Sequence, residues 1–439
     1  MKFPRLIAAA VLTAALSVPV PAALGVEPAQ DTSDVTDVAA DTGAVSAPAN
    51  PGVNAPGAGT VMDSRPASHP VAQMSSATGA RATTFTYGST RSDGMATPVT
   101  GTVFEPQRPW TGKGERPTIV FAPGTRGQGD QCAPSRSGSQ VGNLALGPAG
   151  QPTLNMNYEY PFFQQAAEHG IRVVVTDYIG LGTPGHHSYV NNIEQAHAVL
   201  DAARAGLALS GAPLTSPVGF AGYSQGGGAA AAAAEYAALY APELNIKGTY
   251  AGAPPADLLA VMNAVDGSSI VHVLGYAING FAERSPEFYN AIIPQFNERG
   301  IHFLRSAADA CIGDSMATWG FTRTSQLTKT GESFAHLVSR EPAAARLLEE
   351  QKLGKHPVTG PILVANSPTD DLIPYEQART MAGQYCRMGS AVQFEAAPAV
   401  TFINGTGLGH AGPMMTSVPR GLDYLMARFN DVPAPTNCL

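Results

Sequence analysis

The chain has 439 residues, 44% of them hydrophobic and 14% charged, with a formal net charge of −8. That length exceeds one minimal domain and suits a core with an insertion. The acidic balance, without a basic patch, excludes nucleic acid as an expected partner.

Residues 1–25 read as a signal peptide. Lys2 and Arg5 give the positive start, residues 6–18 the apolar stretch, and Ala22, Ala23 and Gly25 small residues suited to cleavage. The apolar run is too short to span a bilayer, and no later uncharged apolar stretch of about twenty residues follows, so no transmembrane segment is expected. The expectation is a secreted protein, free or associated with the cell envelope. Residues 26–78 are rich in Ala, Pro, Gly, Thr, Ser and Asp. Glu27, Asp31, Asp34, Asp37 and Asp41 make them acidic. Such a stretch buries too little apolar surface to fold and reads as a disordered spacer.

The folded part divides into a first core segment (79–257), an insertion (258–355) and a second core segment (356–439). Residues 83–87 and 97–104 form an expected antiparallel pair around Ser92-Asp93-Gly94. Residues 117–122 (PTIVFA) are a continuous apolar run, the mark of a central strand buried on both faces. A helix over 160–169, a strand over 171–176, a helix over 191–209 and a strand over 217–221 follow. A helix from Gly226 and a strand over 246–251 complete the segment. Strands alternating with helices imply a mostly parallel sheet flanked by helices. The insertion breaks the alternation with helical patterns over 258–265, 285–297 and 334–350. It is expected to cap the carboxyl edge of the sheet. A strand over 361–365, a helix over 375–385, a strand around 400–403 and a helix over 413–429 close the chain.

Chemistry concentrates at Gly222-Tyr223-Ser224-Gln225-Gly226. A serine at a tight strand-to-helix turn projects from the sheet edge, and small residues two before and two after let strand and helix approach. The pentapeptide alone is weak, and the strand before it and helix after it give it weight. An acyl-transfer serine needs a histidine base and a carboxylate to orient it, in the order Ser, acid, His on such a sheet. After the 361–365 strand the one remaining histidine is His410, in a loop bracketed by Gly407, Gly409 and Gly412. Asp370 stands before Ile373-Pro374 at the interval the acid keeps in many such hydrolases, and Asp371 is the alternative. One aspartate can orient the histidine while the other caps a helix. Oxyanion donors are expected from the backbone N–H of Gln225 and from Thr125, with Gly124 the alternative. No cofactor and no metal site are expected, and His186-His187 read as a surface loop.

The four cysteines, Cys132, Cys311, Cys386 and Cys438, are dispersed. In an oxidising compartment they argue for two disulfides, with three pairings open.

Several segments together resemble the secretory lipase family, the lipase-A type of α/β-hydrolase. They are Ala122-Pro123-Gly124-Thr125 with Cys132-Ala133-Pro134-Ser135, the run from Asp177 to Gly185, the glycines around Ser224, Gly252-Ala253-Pro254-Pro255-Ala256-Asp257-Leu258, and Gly409-His410. Ser367 departs from the pattern, standing where many hydrolases carry glycine. The resemblance implies an α/β-hydrolase fold with an inserted helical cap, cleavage of carboxylic esters of lipids, and Ser224, Asp370 and His410 as the triad. It also implies the pairing Cys132–Cys311 and Cys386–Cys438. The expected function is therefore a secreted lipase or esterase working through an acyl-serine, with a lipid or other acyl ester as substrate, at a lipid–water interface or in solution. Leu274, Ile278, Phe281, Phe288, Ile292 and Ile293 would line an acyl site or pack within the cap. The alternatives are acyl transfer to a cell-envelope alcohol or sugar, and a non-enzymatic binding module on the same fold.

Overall fold

The computed structural model describes residues 57–67, 80–136, 142–147, 152–399 and 403–438. The expected signal peptide, most of the spacer and residues 400–402 lie outside them. Among the described residues, nine strands form one sheet, in the spatial order β1-β2-β3-β7-β4-β8-β9-β10-β11. They are β1 (Val61–Pro66), β2 (Ala80–Thr90), β3 (Ala96–Pro106), β4 (Thr118–Ala122), β7 (Arg172–Thr176), β8 (Pro217–Tyr223), β9 (Asn245–Gly252), β10 (Ile362–Asn366) and β11 (Val392–Ala396). The pairs from β7 to β11 are all parallel, while β1, β2 and β3 add an antiparallel edge. A separate hairpin joins β5 (Gly142–Leu146) to β6 (Pro152–Met156). The sheet is thus mostly parallel and flanked by helices, as expected for an α/β-hydrolase.

The central strands are apolar on both faces because both are covered. β4, β7 and β10 are buried at every position. On one side α2 (Asn192–Leu209) and α3 (Gln225–Tyr240) pack on each other and on the strands; on the other, α1 (Tyr160–Glu168) lies against β7 and the last helix, Leu408–Phe429, lies against β8, β9 and β10. Ala229 to Ala234 are completely buried, so methyl-sized side chains let α3 sit between sheet and neighbouring helix.

Between β9 and β10 run seven α-helices: α4 (Leu258–Val265), α5 (Val273–Arg284), α6 (Pro286–Ile292), α7 (Glu298–Ala308), α8 (Ile312–Trp319), α9 (Phe334–Arg340) and α10 (Pro342–Glu350). The sequence pattern over 334–350 suggests one helix, but Pro342 ends it and starts the next at N1. Pro294 likewise turns the end of the 285–297 pattern into a 3-10 turn. Helices α11 (Tyr375–Arg387) and α12 (Leu408–Phe429) complete the chain.

Two expectations change. Composition extends the spacer to residue 78, yet Val61–Pro66 pair with Thr83–Tyr87. This edge strand exposes most of its side chains, so it leaves almost no apolar signal. Among the described residues the last strand is Val392–Ala396, the strand expected around 400–403 falls mostly on residues outside them, and α12 begins at Leu408 instead of Pro413.

Both disulfides take the pairing the family resemblance implies. Cys132–Cys311 closes 179 residues and staples the loop after β4 to the start of α8. Beside it Gly127 and Cys311 form a backbone bridge, and Ile312 N–H donates to Arg126 O at 2.8 Å. Cross-linking a loop that long restricts the unfolded chain, an effect worth about 2–5 kcal/mol. Replacing Cys132 and Cys311 together by serine is expected to lower unfolding stability by about that amount in urea titrations. An unchanged midpoint would show that the bond constrains nothing the fold does not already hold.

Candidate active site

Ser224 occupies the turn between β8 and α3 at φ 61° and ψ −126°. Such a backbone costs energy for a residue with a Cβ and persists where surroundings enforce it. Here they do: Ser224 N–H donates to Gly252 O at 2.9 Å, and Gly228 N–H donates to Ser224 O at 3.1 Å. The flanking glycines are sterically compelled. A Cβ on Gly222 would lie 2.1 Å from Gly226 O, and one on Gly226 would lie 2.0 Å from Ala122 O. Ser224 is also the sole residue from 218 to 235 that is not fully buried. The turn therefore lifts one hydroxyl out of an otherwise sealed element.

His410 sits in the first turn of α12, not in an extended loop. Its backbone is positioned by Asp371, whose carboxylate accepts from Gly407 N–H at 2.8 Å and His410 N–H at 3.0 Å. This is N-terminal capping of a helix by an acid that also suits the positive end of its dipole. Asp370, in the loop after β10, accepts from His410 Nδ1 at 2.8 Å. Its other oxygen is held by Leu372 N–H at 3.0 Å and Ile373 N–H at 2.8 Å. The two adjacent aspartates thus divide the work, with Asp370 on the imidazole and Asp371 on the backbone that carries it. Gly409 allows the close approach, since a Cβ there would stand 2.5 Å from Thr369 O. Tyr223, the residue before Ser224, ties the histidine to the turn. Its hydroxyl donates to His410 O at 2.7 Å, and the two rings tilt together with centroids 5.2 Å apart.

The loop after β4 supplies the facing wall. Gly124 N–H donates to both oxygens of Glu159, at 3.1 and 3.0 Å, so it is already engaged. Glu159 pairs with Arg126 at 2.9 Å, both side chains buried; burial pushes the Glu159 carboxyl up while Arg126 pulls it down. Thr125 is buried, and its Oγ1 lies 2.6 Å from Tyr189 Oη. The Gln225 side chain is fixed by two contacts. Its Nε2 reaches Gln195 Oε1 at 3.0 Å and His187 Nε2 at 2.9 Å.

His187 corrects the surface-loop reading of His186-His187. It is 1% exposed, stacked on Tyr178, and burial pulls its pKa down to about 4. Neutral at ordinary pH, it fits as an Nδ1–H donor to Ile179 O at 3.3 Å with Nε2 accepting from Gln225. Two polar histidines in a glycine-rich run suggest solvent; only tertiary packing reveals that one is enclosed.

A narrow apolar cavity of about 50 Å³ runs from Ser224 and Gln225 into the inserted helices. Leu258, Met262, Leu274, Ile278, Phe281 and Phe288 are among its walls. Ile292 and Ile293 are not; Ile292 is instead fully buried. Tyr189 also lines it and was not singled out by sequence. Among the described residues, no group of three or more His, Cys, Asp or Glu is arranged to hold a metal. No described helix is long and apolar enough to cross a membrane.

A buried carboxylate on an imidazole, a strained serine and an apolar cavity together match nucleophilic acyl transfer. The family model described as secretory lipase matches residues 147–437. Lipase 10 of Candida albicans is 25% identical over 282 residues, 62% of this chain and 58% of its own length. The secreted triacylglycerol lipase LIP3 of Malassezia restricta is 25% identical over 313 residues, 70% of this chain and 62% of its own. The chain thus spans about three-fifths of these relatives' lengths. In fold it resembles Candida antarctica lipase A in its closed state, with a TM-score of 0.72 at 20% identity. That likeness covers 87% of this chain and 84% of the other.

Proposed function

Because the chain belongs to the secretory lipase family, we propose that it is a secreted serine hydrolase of carboxylic esters, acting on acylglycerols through an acyl-Ser224 intermediate. The observation that carries this reading is the Asp370–His410 hydrogen bond at 2.8 Å, fastened through Tyr223 to a strained serine that opens on an apolar cavity.

In the proposed cycle His410 removes the Ser224 proton as its oxygen attacks the ester carbonyl. The oxyanion is met by Thr125 and by the N–H of Gln225, and His410 then gives the proton to the leaving alcohol. Water, activated by the same imidazole, releases the acid. Asp370 keeps the imidazole in the tautomer that presents Nε2 to serine. The apolar cavity would take the acyl chain, each buried methylene adding about 0.8 kcal/mol.

The substrate also decides where the enzyme must work. Three large apolar residues stand exposed around one turn beside the site: Phe321 at 61%, Ile403 at 80% and Leu408 at 43%. Phe321 N–H donates to Ser268 O, while Ser269 N–H donates to Gly405 O and Ser269 Oγ to Thr406 O. Ile270, in the same turn, lines the cavity. Phe321 is held at φ 65°, an unfavourable backbone for an aromatic residue that water does not reward. A lipid surface would reward it.

The test is hydrolysis of p-nitrophenyl esters of rising chain length, below and above substrate solubility. Rising rates on long chains are expected, with a further jump above solubility. Phe321→Asp is expected to cut activity on emulsified triacylglycerol by about tenfold, the loss of one aromatic anchor. It should leave soluble butyrate ester hydrolysis within about twofold. Equal losses on both substrates would remove Phe321 from the interface, and no ester hydrolysis at all would reject the enzyme.

A further inference from the structure

Resting on the ester-hydrolase reading, we propose that Tyr189 is a positioning residue for the oxyanion hole. Its phenol donates to Thr125 Oγ1 and so turns the Thr125 hydroxyl proton toward the developing oxyanion.

Two hydroxyls 2.6 Å apart share one hydrogen bond, and either can be the donor. The choice has a chemical consequence. If Thr125 donates, its proton is spent on tyrosine and none is left for substrate. If Tyr189 donates, Thr125 Oγ1 is satisfied as an acceptor and its own proton is free to point elsewhere. A phenol is the more acidic partner and the better donor. Burial pushes the Tyr189 pKa up to about 12, which weakens the phenol as a donor but leaves it more acidic than the aliphatic Thr125 hydroxyl. Negative charge on the substrate oxygen then selects the same order, because it attracts both protons along Tyr189 to Thr125 to oxyanion.

The surroundings fix both partners. Thr125 is held at its backbone: Tyr158 Oη donates to Thr125 O at 3.0 Å, and Gly124 before it is tied to Glu159. What remains free is rotation of the hydroxyl. Tyr189 is clamped edge-on by Tyr276 of α5 at 5.6 Å and by His187 at 5.8 Å. The residue after it, Val190, adopts φ 53°, a left-handed backbone that a β-branched side chain disfavours by about 1–3 kcal/mol. That turn is enforced by Asn191 N–H donating to Ser188 O at 3.0 Å, while the Asn191 side chain caps α2. The strain therefore has a product, an inward tyrosine beside Ser224 in the cavity wall. Tyr276 belongs to the inserted helices, so the same contact lets their placement reach the oxyanion hole.

The experiment compares Tyr189→Phe, Thr125→Val, their double variant and Thr125→Ser on a soluble butyrate ester. Fluorophosphonate labelling of Ser224 is checked first in the wild-type protein. Tyr189→Phe is expected to lower kcat about tenfold with KM within about twofold, the pattern of an interaction made only in the transition state. Thr125→Val should cost about a hundredfold. The double variant should match Thr125→Val alone, since phenylalanine removes nothing once the threonine hydroxyl is gone. Thr125→Ser, which keeps a hydroxyl, should retain most of the activity that Thr125→Val loses. The relay is overturned by an unchanged kcat in Tyr189→Phe, by a change confined to KM, or by the same tenfold loss in the Thr125→Val background. The last result holds even if a variant loosens the fold, because a structural loss adds where a relay does not. Failure of wild-type Ser224 to label rejects the hydrolase reading itself; labelling with any of the other outcomes rejects the relay alone.

Discussion

Ser224→Ala is expected to reduce kcat on soluble p-nitrophenyl esters by on the order of 10⁵- to 10⁶-fold, with KM changed little. The size follows from what the residue does in the proposed cycle. The acyl group has no other acceptor, so the two-step path closes and water must attack unaided. Oxyanion donors and the cavity stay in place, which leaves a residual acceleration of about 10³–10⁴ over water. Folding should be untouched. Alanine keeps the Cβ and the strained backbone at φ 61°, and both main-chain hydrogen bonds of the turn remain. Full activity in this variant, confirmed by mass spectrometry of the purified protein, would end the mechanism. A stable, folded and inert protein is the result that supports it.

The strain also sets a contrast with Ser224→Gly. Glycine adopts positive φ freely, so the turn would relax and part of the stored energy, about 1 kcal/mol, would return to stability. A gain in stability on loss of the Ser224 hydroxyl is the result expected if the strained turn serves the proposed chemistry.

Much of this site was legible in the sequence because its parts are constrained locally. The glycines at 222 and 226 are demanded by contacts of about 2 Å, so the motif records a steric requirement that any reader can find. The two aspartates and His410 follow from strand order along the sheet. The edge strand β1 left no trace, since its pairing is made by backbone and its side chains face solvent. The helices α5, α7 and α8 were also missed. Gly275 interrupts the pattern of α5, yet it is there so that α7 can approach; a Cβ would meet Ala307 Cβ at 2.8 Å. Tyr189, His187 and Glu159 were invisible for a different reason. Each acts through a partner more than thirty residues away in the chain, or through burial that composition does not announce. Local sequence encodes turns and periodicity; it does not encode which polar group becomes the second layer of a site.

Asp370→Asn should cut kcat by on the order of 10⁴-fold while leaving the fold intact, and Asp371→Asn should do the reverse. The carboxylate of Asp370 accepts from His410 Nδ1 at 2.8 Å and from two backbone N–H groups through its other oxygen. An asparagine can keep the backbone bonds, yet its amide can then present N–H to the ring and favour the wrong tautomer. The base would be aimed correctly and be unable to accept. Asp371 touches no side chain of the proposed triad; it caps α12 through Gly407 and His410 N–H. Neutralising it removes a charge-assisted cap worth about 1 kcal/mol, a loss of about 2 °C in Tm for a domain of this size. Its effect on kcat should stay under about tenfold, transmitted by looser placement of the helix that carries the imidazole. Activity and melting measured on the two variants side by side separate the roles. If Asp371→Asn proves the inactive one and Asp370→Asn the merely unstable one, the acid has been assigned to the wrong aspartate. If both retain full activity, the Asp370–His410 bond orients nothing that the reaction uses.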